Sequence, residues 1–361
     1  MLDAGERAYA FTKACAILGK SFIGERVSAL ASLRSLSELD RLLFPDQRHD
    51  LPGPELLAEL ENRIVKRSIE NIISVIKSFD KPPAALVYQL RSFEYADIKT
   101  CLHYLGEGKK TMPPFYDLGD FGTVQFKLFP DIHAMLEKTE YNFLLAKLPD
   151  KFNGSNCDLT VLEAELDFHY YLFLTESMYL LSGDDREIAC RILAKEISLR
   201  NCMWALRLRT YFKMTGNEAG KHLMDIKMPA PSDDPGQQLH INKTTGNNKN
   251  KISLAKDAFV SLDKPLDSRT EWRGWKWEKL LNPKKPNQIW EADPRYFQNA
   301  ASHYLYRQAY KNFRGVPFSV SAIFCFIKLK QFEEDLLISI SEGLSLGMNP
   351  GDVFSLLGVT A

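Results

Sequence analysis

Near the end of the chain, residues 320–346 read VSAIFCFIKLKQFEEDLLISISEGLSL, and this stretch limits the possible folds more than any other. Val320, Ile323, Phe324, Ile327, Phe332, Leu336, Leu337, Ile340 and Leu344 recur mostly at steps of three and four. On an α-helix that spacing makes one apolar stripe. Lys328, Lys330, Glu333, Glu334 and Asp335 fall mostly off the stripe, so they are expected to face water or a polar partner. No Gly or Pro interrupts the run before Gly343. Gly347 then supplies a stop, and Asn349-Pro350 caps and starts a short helix over 351–357. A helix this long must bury one face against other elements.

The pattern has two echoes upstream. Residues 85–108 (ALVYQLRSFEYADIKTCLHYLGEG) and 188–216 (IACRILAKEISLRNCMWALRLRTYFKMTG) share an apolar lead-in, a charged centre, a second apolar turn and a Gly exit. Glu94 precedes Lys99 by five residues, and Glu196 precedes Asn201 by five. In the third copy the same alignment puts Gln331 at the Glu place and Leu336 at the polar place. Three related helical units imply an internal repeat, in which bundles are stacked or arranged in a ring.

The remaining text is helical in outline. Residues 6–43 read as two helices that bend at Gly19 and Gly24, and 56–79 as a strong helix stopped by Asp80-Lys81-Pro82-Pro83. Residues 109–129 are loop-rich, with a short strand pair conceivable around TVQFKLF (123–129). Helices are expected over 131–148, 159–181, 252–262, 272–281 and 294–313, with a cap at 182–185. Between 217 and 250 the periodicity fades, and NKTTGNNKNK (242–251) has the composition of a mobile tract.

Length and composition exclude several classes. A chain of 361 residues supports two or three compact units. Lys plus Arg and Asp plus Glu stand at 46 each, so no bulk field draws the chain to nucleic acid or an anionic membrane. No apolar run approaches the roughly 20 residues that span a bilayer, and MLDAGERAYAF lacks a signal core, so export is not expected. Five of the six cysteines sit in apolar helical text, which fits reduced, buried thiols better than a disulfide framework.

Motifs that could carry chemistry have plainer explanations. Gly343-Leu-Ser345-Leu-Gly347 matches a nucleophile elbow by letter, but that device needs a strand before the turn, and a helix precedes it here. Gly19-Lys20-Ser21 resembles the end of a phosphate loop, yet Ala14 stands where the first Gly belongs and helical text precedes it. Trp272, Trp275 and Trp277 alternate with Arg273, Lys276 and Lys279, a mixture that could stack bases. Burial of the rings with wet cations is the simpler reading. The seven histidines never form a metal pair, so neither metal nor cofactor is expected. The polar set that calls for explanation is Glu94, Asp97, Lys99, Glu196, Arg200 and Asn201, with Glu333 and Glu334 in the third copy.

Several stretches together also resemble a family: Tyr9-Ala10 with Lys13, GKSFIGERV (19–27), LRSFEYADIK (90–99), DLGDFGTVQF (117–126), FPDIHAML (129–136), and PFSVSAIFCFIKLKQFEEDLL with EGLSLGM (317–348). In this order they are similar to the C subunits of prokaryotic V-type/A-type rotary ATPases, relatives of the eukaryotic vacuolar d subunit. The likeness spans nearly the whole chain and is weakest over 217–293. It implies an all-α, funnel-like body of three similar bundles around a central opening, divided here at 1–110, 111–216 and 217–361 with a mobile polar insertion around 230–251. The implied role is a non-catalytic central-stalk connector between the rotor shaft and the membrane proteolipid ring, peripheral at the cytoplasmic face. Shaft subunits and ring would be its partners, with no nucleic acid and no small-molecule substrate. Glu94, Asp97, Lys99, Glu196, Arg200 and Asn201 would then face the opening, partly exposed, as partner contacts. A free-standing helical adaptor or nucleic-acid-binding scaffold is the alternative.

Overall fold

The computed structural model describes residues 4–46, 51, 53–149, 159–229, 251–284 and 289–357. In chain order the helices are α1 (Ala4–Leu18), α2 (Leu36–Leu43), α3 (Gly53–Ile76), α4 (Ala84–Leu90), α5 (Ser92–Gly106), α6 (Ile132–Leu136) and α7 (Leu159–Met178). They continue with α8 (Gly183–Tyr211), α9 (Gly216–Gly220), α10 (Lys256–Leu262), α11 (Pro294–Gly315), α12 (Val320–Ser345) and α13 (Pro350–Leu357). A two-stranded antiparallel ribbon, β1 (Lys227–Pro229) with β2 (Lys251–Ser253), is the sheet among the described residues. The fold is all-α. By contacts it divides into two compact units, Met1–Lys81 with Ser182–Ala361, and Pro82–Leu181.

In the first unit α12 packs against α1, α3, α8, α11 and α13. Its N-cap Ser319 accepts the Ala322 N–H, satisfying one of the orphan amides of the first turn. Leu336, Leu337, Ile340 and Leu344 join Leu56, Leu60 and Ile64 of α3, Val27 and Leu30 of a 3₁₀ turn, and Val353 and Phe354 of α13 in one core. Because neighbours approach from several sides, the polar centre of α12 is not left to water as expected. Lys330 is 3% exposed and Glu333 2%. Burial is tolerable because the two charges pair with one another.

A second core in this unit gathers α8, α9, α10 and α11 around tryptophans. Trp272, Trp275 and Trp277 are buried, and their indole N–H groups donate to Pro265 O (2.8 Å), Asp257 O (2.9 Å) and Ser198 Oγ (3.2 Å). The rings therefore pack inward, not outward toward bases. The expected helix over 272–281 is instead two 3₁₀ turns, Arg269–Trp272 and Glu278–Leu280, split by Gly274 at φ +76°. Similarly, the second helix expected before Leu43 becomes a 3₁₀ turn (Gly24–Leu30) and α2, because Ser35 caps a new start by accepting the Glu38 N–H.

The second unit is built on α4, α5 and α7, which share Leu86, Leu90, Ile98, Leu102, Leu162, Leu166 and Leu174 as buried residues. Residues 109–129 are loop with two 3₁₀ turns, Gly119–Phe121 and Phe126–Leu128, in place of the conceivable strand pair. The helix expected over 131–148 is cut to α6 and a 3₁₀ turn (Glu140–Leu144), where Thr139 accepts the Tyr141 N–H as a fresh cap. Most of the tract 242–251 lies outside the described residues.

The letter-motifs resolve as helix ends. Gly343 and Ser345 lie in the last turns of α12, and the Met348 N–H closes on Gly343 O at 2.9 Å. After α1 the amides of Gly19, Lys20 and Ser21 donate to Cys15, Ile17 and Leu18 carbonyls, so none is left for a phosphate. Cys101, Cys202 and Cys325 are buried free thiols, whereas Cys15 is exposed.

Candidate functional site

Glu94 sits in the first turn of α5 and is 1% exposed. Its Oε1 accepts the backbone N–H groups of Thr123 (2.5 Å) and Val124 (2.7 Å). Its Oε2 accepts the Tyr141 O–H (2.6 Å) and the Thr123 hydroxyl (3.1 Å). Four donors on one carboxylate give a buried anion the hydrogen bonds it needs, and they hold the loop DLGDFGTVQF against the helix. Burial and the nearby Glu94 charge push the Tyr141 hydroxyl far up, so it stays a donor.

One turn on, Asp97 (4% exposed) accepts the Tyr116 N–H at 2.8 Å and ties down the start of the same loop. Desolvation pushes its carboxyl up to about 7, against the pull of the Tyr116 amide. Arg91 adds a third hold, donating to Phe121 O (3.2 Å) and pairing with Glu140 (2.6 Å). Lys99 points to α7 and pairs with Asp167 at 2.7 Å.

In the first unit the polar residues serve the same kind of purpose. Asn201, fully buried on α8, clamps Met224 from both sides: its amide donates to Met224 O (3.0 Å) and its oxygen accepts the Met224 N–H (2.8 Å). Glu196 pairs with Lys328 of α12 at 2.8 Å, both side chains being largely covered. Arg200, half-buried, bears on Asp335, whose carboxyl desolvation raises to about 6 while that cation lowers it. Asp335 is exposed and lines a groove with Gln298, Ser302 and Phe332. On α12, Glu333 accepts the Phe22 N–H at 2.6 Å, and Lys330 donates to Ser21 Oγ at 3.3 Å as well as pairing with Glu333.

The expectation that these side chains look out, partly exposed, is therefore corrected for Glu94, Asp97 and Asn201, which lie in the interior. Each holds a loop backbone, Glu94 accepting from the Tyr141 and Thr123 hydroxyls as well, because an amide brought into a helical core must be satisfied there. Lys99, Glu196 and Arg200 keep partial exposure. Ser198 is buried between Asp257 Oδ2 (3.0 Å) and the Trp277 N–H (3.2 Å). Tyr141 and Phe22 were missed entirely; both come from distant sequence, and no spacing on the long helices points to them.

What this geometry defines is a helical scaffold whose buried polar groups fix loops. Among the described residues no group of three His, Cys, Asp or Glu comes together as a metal site, and no helix is long and apolar enough to cross a membrane. The chain belongs to the ATP synthase (C/AC39) subunit family, whose model matches residues 24–231. Proteins of this family are subunits of V/A-type ATPases. The chain is also similar to an uncharacterized protein of Treponema pallidum (strain Nichols), at 24% identity over 341 residues, covering 94% of this chain and 92% of that protein.

Proposed function

We propose that the chain is the non-catalytic central-stalk connector of a V/A-type rotary ATPase, joining the central shaft to the membrane proteolipid ring and carrying torque between them. The observation that carries this reading is the family match over residues 24–231. In the same reading the helices α5, α8 and α12 belong to three similar bundles around a central opening, divided near 110 and 216. The protein sits peripherally at the cytoplasmic face of the membrane. Stiffness supports the assignment. A part under torque must transmit strain without yielding, and close-packed helices do so. Loops that would otherwise give way are held by the buried groups Glu94, Asp97, Asn201 and Glu333. Those four act on partners through the loops they hold. Lys99, Glu196 and Arg200, closer to the surface, are the candidates for direct contact.

The test is paired. ATP hydrolysis by the soluble head and ATP-driven ion uptake by vesicles are measured with and without this chain. Hydrolysis is expected to persist and uptake to stop, since the ring then lacks its mechanical input. Uptake that continues without the chain would sink the connector reading. Loss of hydrolysis in the isolated head would assign the chain a regulatory or catalytic role instead.

A further inference from the structure

Between α11 and α12, where α13 packs against both, the surface opens into a groove of about 280 Å³. Ser302 of α11, Phe332, Asp335, Ile338 and Ser339 of α12, and Leu357 of α13 line it. No lysine, arginine or histidine is among the described lining residues, and Asp335 is the carboxylate there. Asp335 is exposed and forms no hydrogen bond or close ion pair among the described residues. Desolvation raises its carboxyl to about 6, against the pull of Arg200 and Lys328, which do not close on it. Lys328 is paired with Glu196 at 2.8 Å, and Arg207 donates to Gln298 Oε1 at 2.7 Å.

The rest of the lining is apolar or neutral. Phe332 stacks on Tyr306 with 4.3 Å between ring centres, so its ring is a fixed wall. Ile338 and Leu357 are half-buried and add aliphatic surface. Ser302 and Ser339 bring hydroxyl groups that can accept as well as donate. The volume falls below the roughly 300–1,000 Å³ of pockets that hold a whole drug-sized ligand. It suits a single side chain.

We infer that this groove receives an arginine side chain of a protein partner, with the guanidinium on Asp335 and the stem along Ile338 and Leu357. Charge complementarity selects a cation, since the charged residue of the described lining is negative. A guanidinium also uses what surrounds that charge. It is planar and stacks on aromatic faces such as Phe332, and its five N–H donors exceed what one carboxylate takes, leaving some for the two hydroxyls. A free polyamine fits less well. It brings several charges to a single carboxylate, and Arg200 and Lys328 would repel the rest. The inference goes beyond the connector reading and stands without it, since one basic side chain is all it asks of the partner.

Methyl NMR of the full chain, titrated with a blocked glycine pentapeptide that carries one central arginine, tests it. Millimolar peptide should shift the methyl signals of Ile338 and Leu357. The same peptide with citrulline, the uncharged isostere of arginine, should bind at least about tenfold more weakly, the scale of one charge-assisted hydrogen bond. Asp335→Asn should weaken the arginine peptide to the same extent, and because Asp335 is exposed its melting temperature should not fall. Glu70→Gln, which neutralises an exposed carboxylate on α3, should bind as the parent does. Absence of shifts in the parent, equal binding of the citrulline peptide, or parent-like binding by Asp335→Asn overturns the inference. Tighter binding of spermidine than of the arginine peptide, read at the same methyl signals, overturns it in favour of a free polyamine.

Discussion

Asp97 shows how one buried carboxyl can set a pH response. Unfolded, it ionises near 3.8; folded, burial first and the Glu94 charge in addition push it to about 7. Between those values the folded chain keeps a proton that the unfolded chain has released. The stability this group contributes is therefore complete below about pH 3.8 and lost as pH rises through about 7. Asp97→Asn removes the charge and retains an oxygen for the Tyr116 N–H. Relative to the parent, the variant should gain on the order of 3 kcal/mol between pH 4 and pH 8. Urea midpoints across that range measure it, and a pH slope identical in the two proteins would locate the response elsewhere. The same residue marks what was legible. Glu94 and Asp97 stand out in the sequence, but their burial does not, because Thr123, Val124 and Tyr141 arrive from 29 to 47 positions away. A usable signal was present: Phe93, Tyr95, Ile98 and Leu102 flank Glu94 and Asp97 in α5. Polar residues set among apolar neighbours on a buried face need internal partners.

Helices with strong periodicity were legible to within a few residues: α12 ends at Ser345 where a stop after Leu346 is expected, and α11 and α3 agree similarly. Elements failed where a local device overrode propensity, as at Gly274, Ser35 and Thr139. The ribbon of β1 and β2 went unread because three residues a side carry too short a pattern. Gly343 is a feature whose meaning only packing reveals. A Cβ there would lie 2.5 Å from Val353 Cγ2, so the bare glycine is what lets α13 close on α12. Alanine would gain about 1 kcal/mol of helix propensity yet force apart a β-branched contact that cannot turn away, at about 1–3 kcal/mol. Gly343→Ala should therefore destabilise the protein, and Val353→Ala in the same chain should recover part of the loss. Thermal melts of the two single variants and the double form a cycle. Additive effects would show that the two residues do not meet.

At the scale of the molecule, the chain forms its first unit from both ends and its second from the middle, residues 82–181. This division is not legible in the sequence, because it depends on which helices meet and periodicity is silent on that. Each unit has its own core and its own buried polar holds, so a lesion should weaken the unit that contains it. Two variants make this measurable by native-state hydrogen exchange, which reports protection amide by amide. Glu94→Ala strips the acceptor from four donors, two of them backbone amides, and should cost about 3 kcal/mol. Leu336→Asp puts an unpaired charge into the core of α12, α3 and α13, where Leu336 is 2% exposed, and should cost at least about 3 kcal/mol. The first variant should speed exchange in α4, α5 and α7 and leave α3, α8 and α12 close to the parent. The second should do the reverse. If either variant lowers protection equally across both units, the two open as one cooperative structure and the division has no energetic meaning.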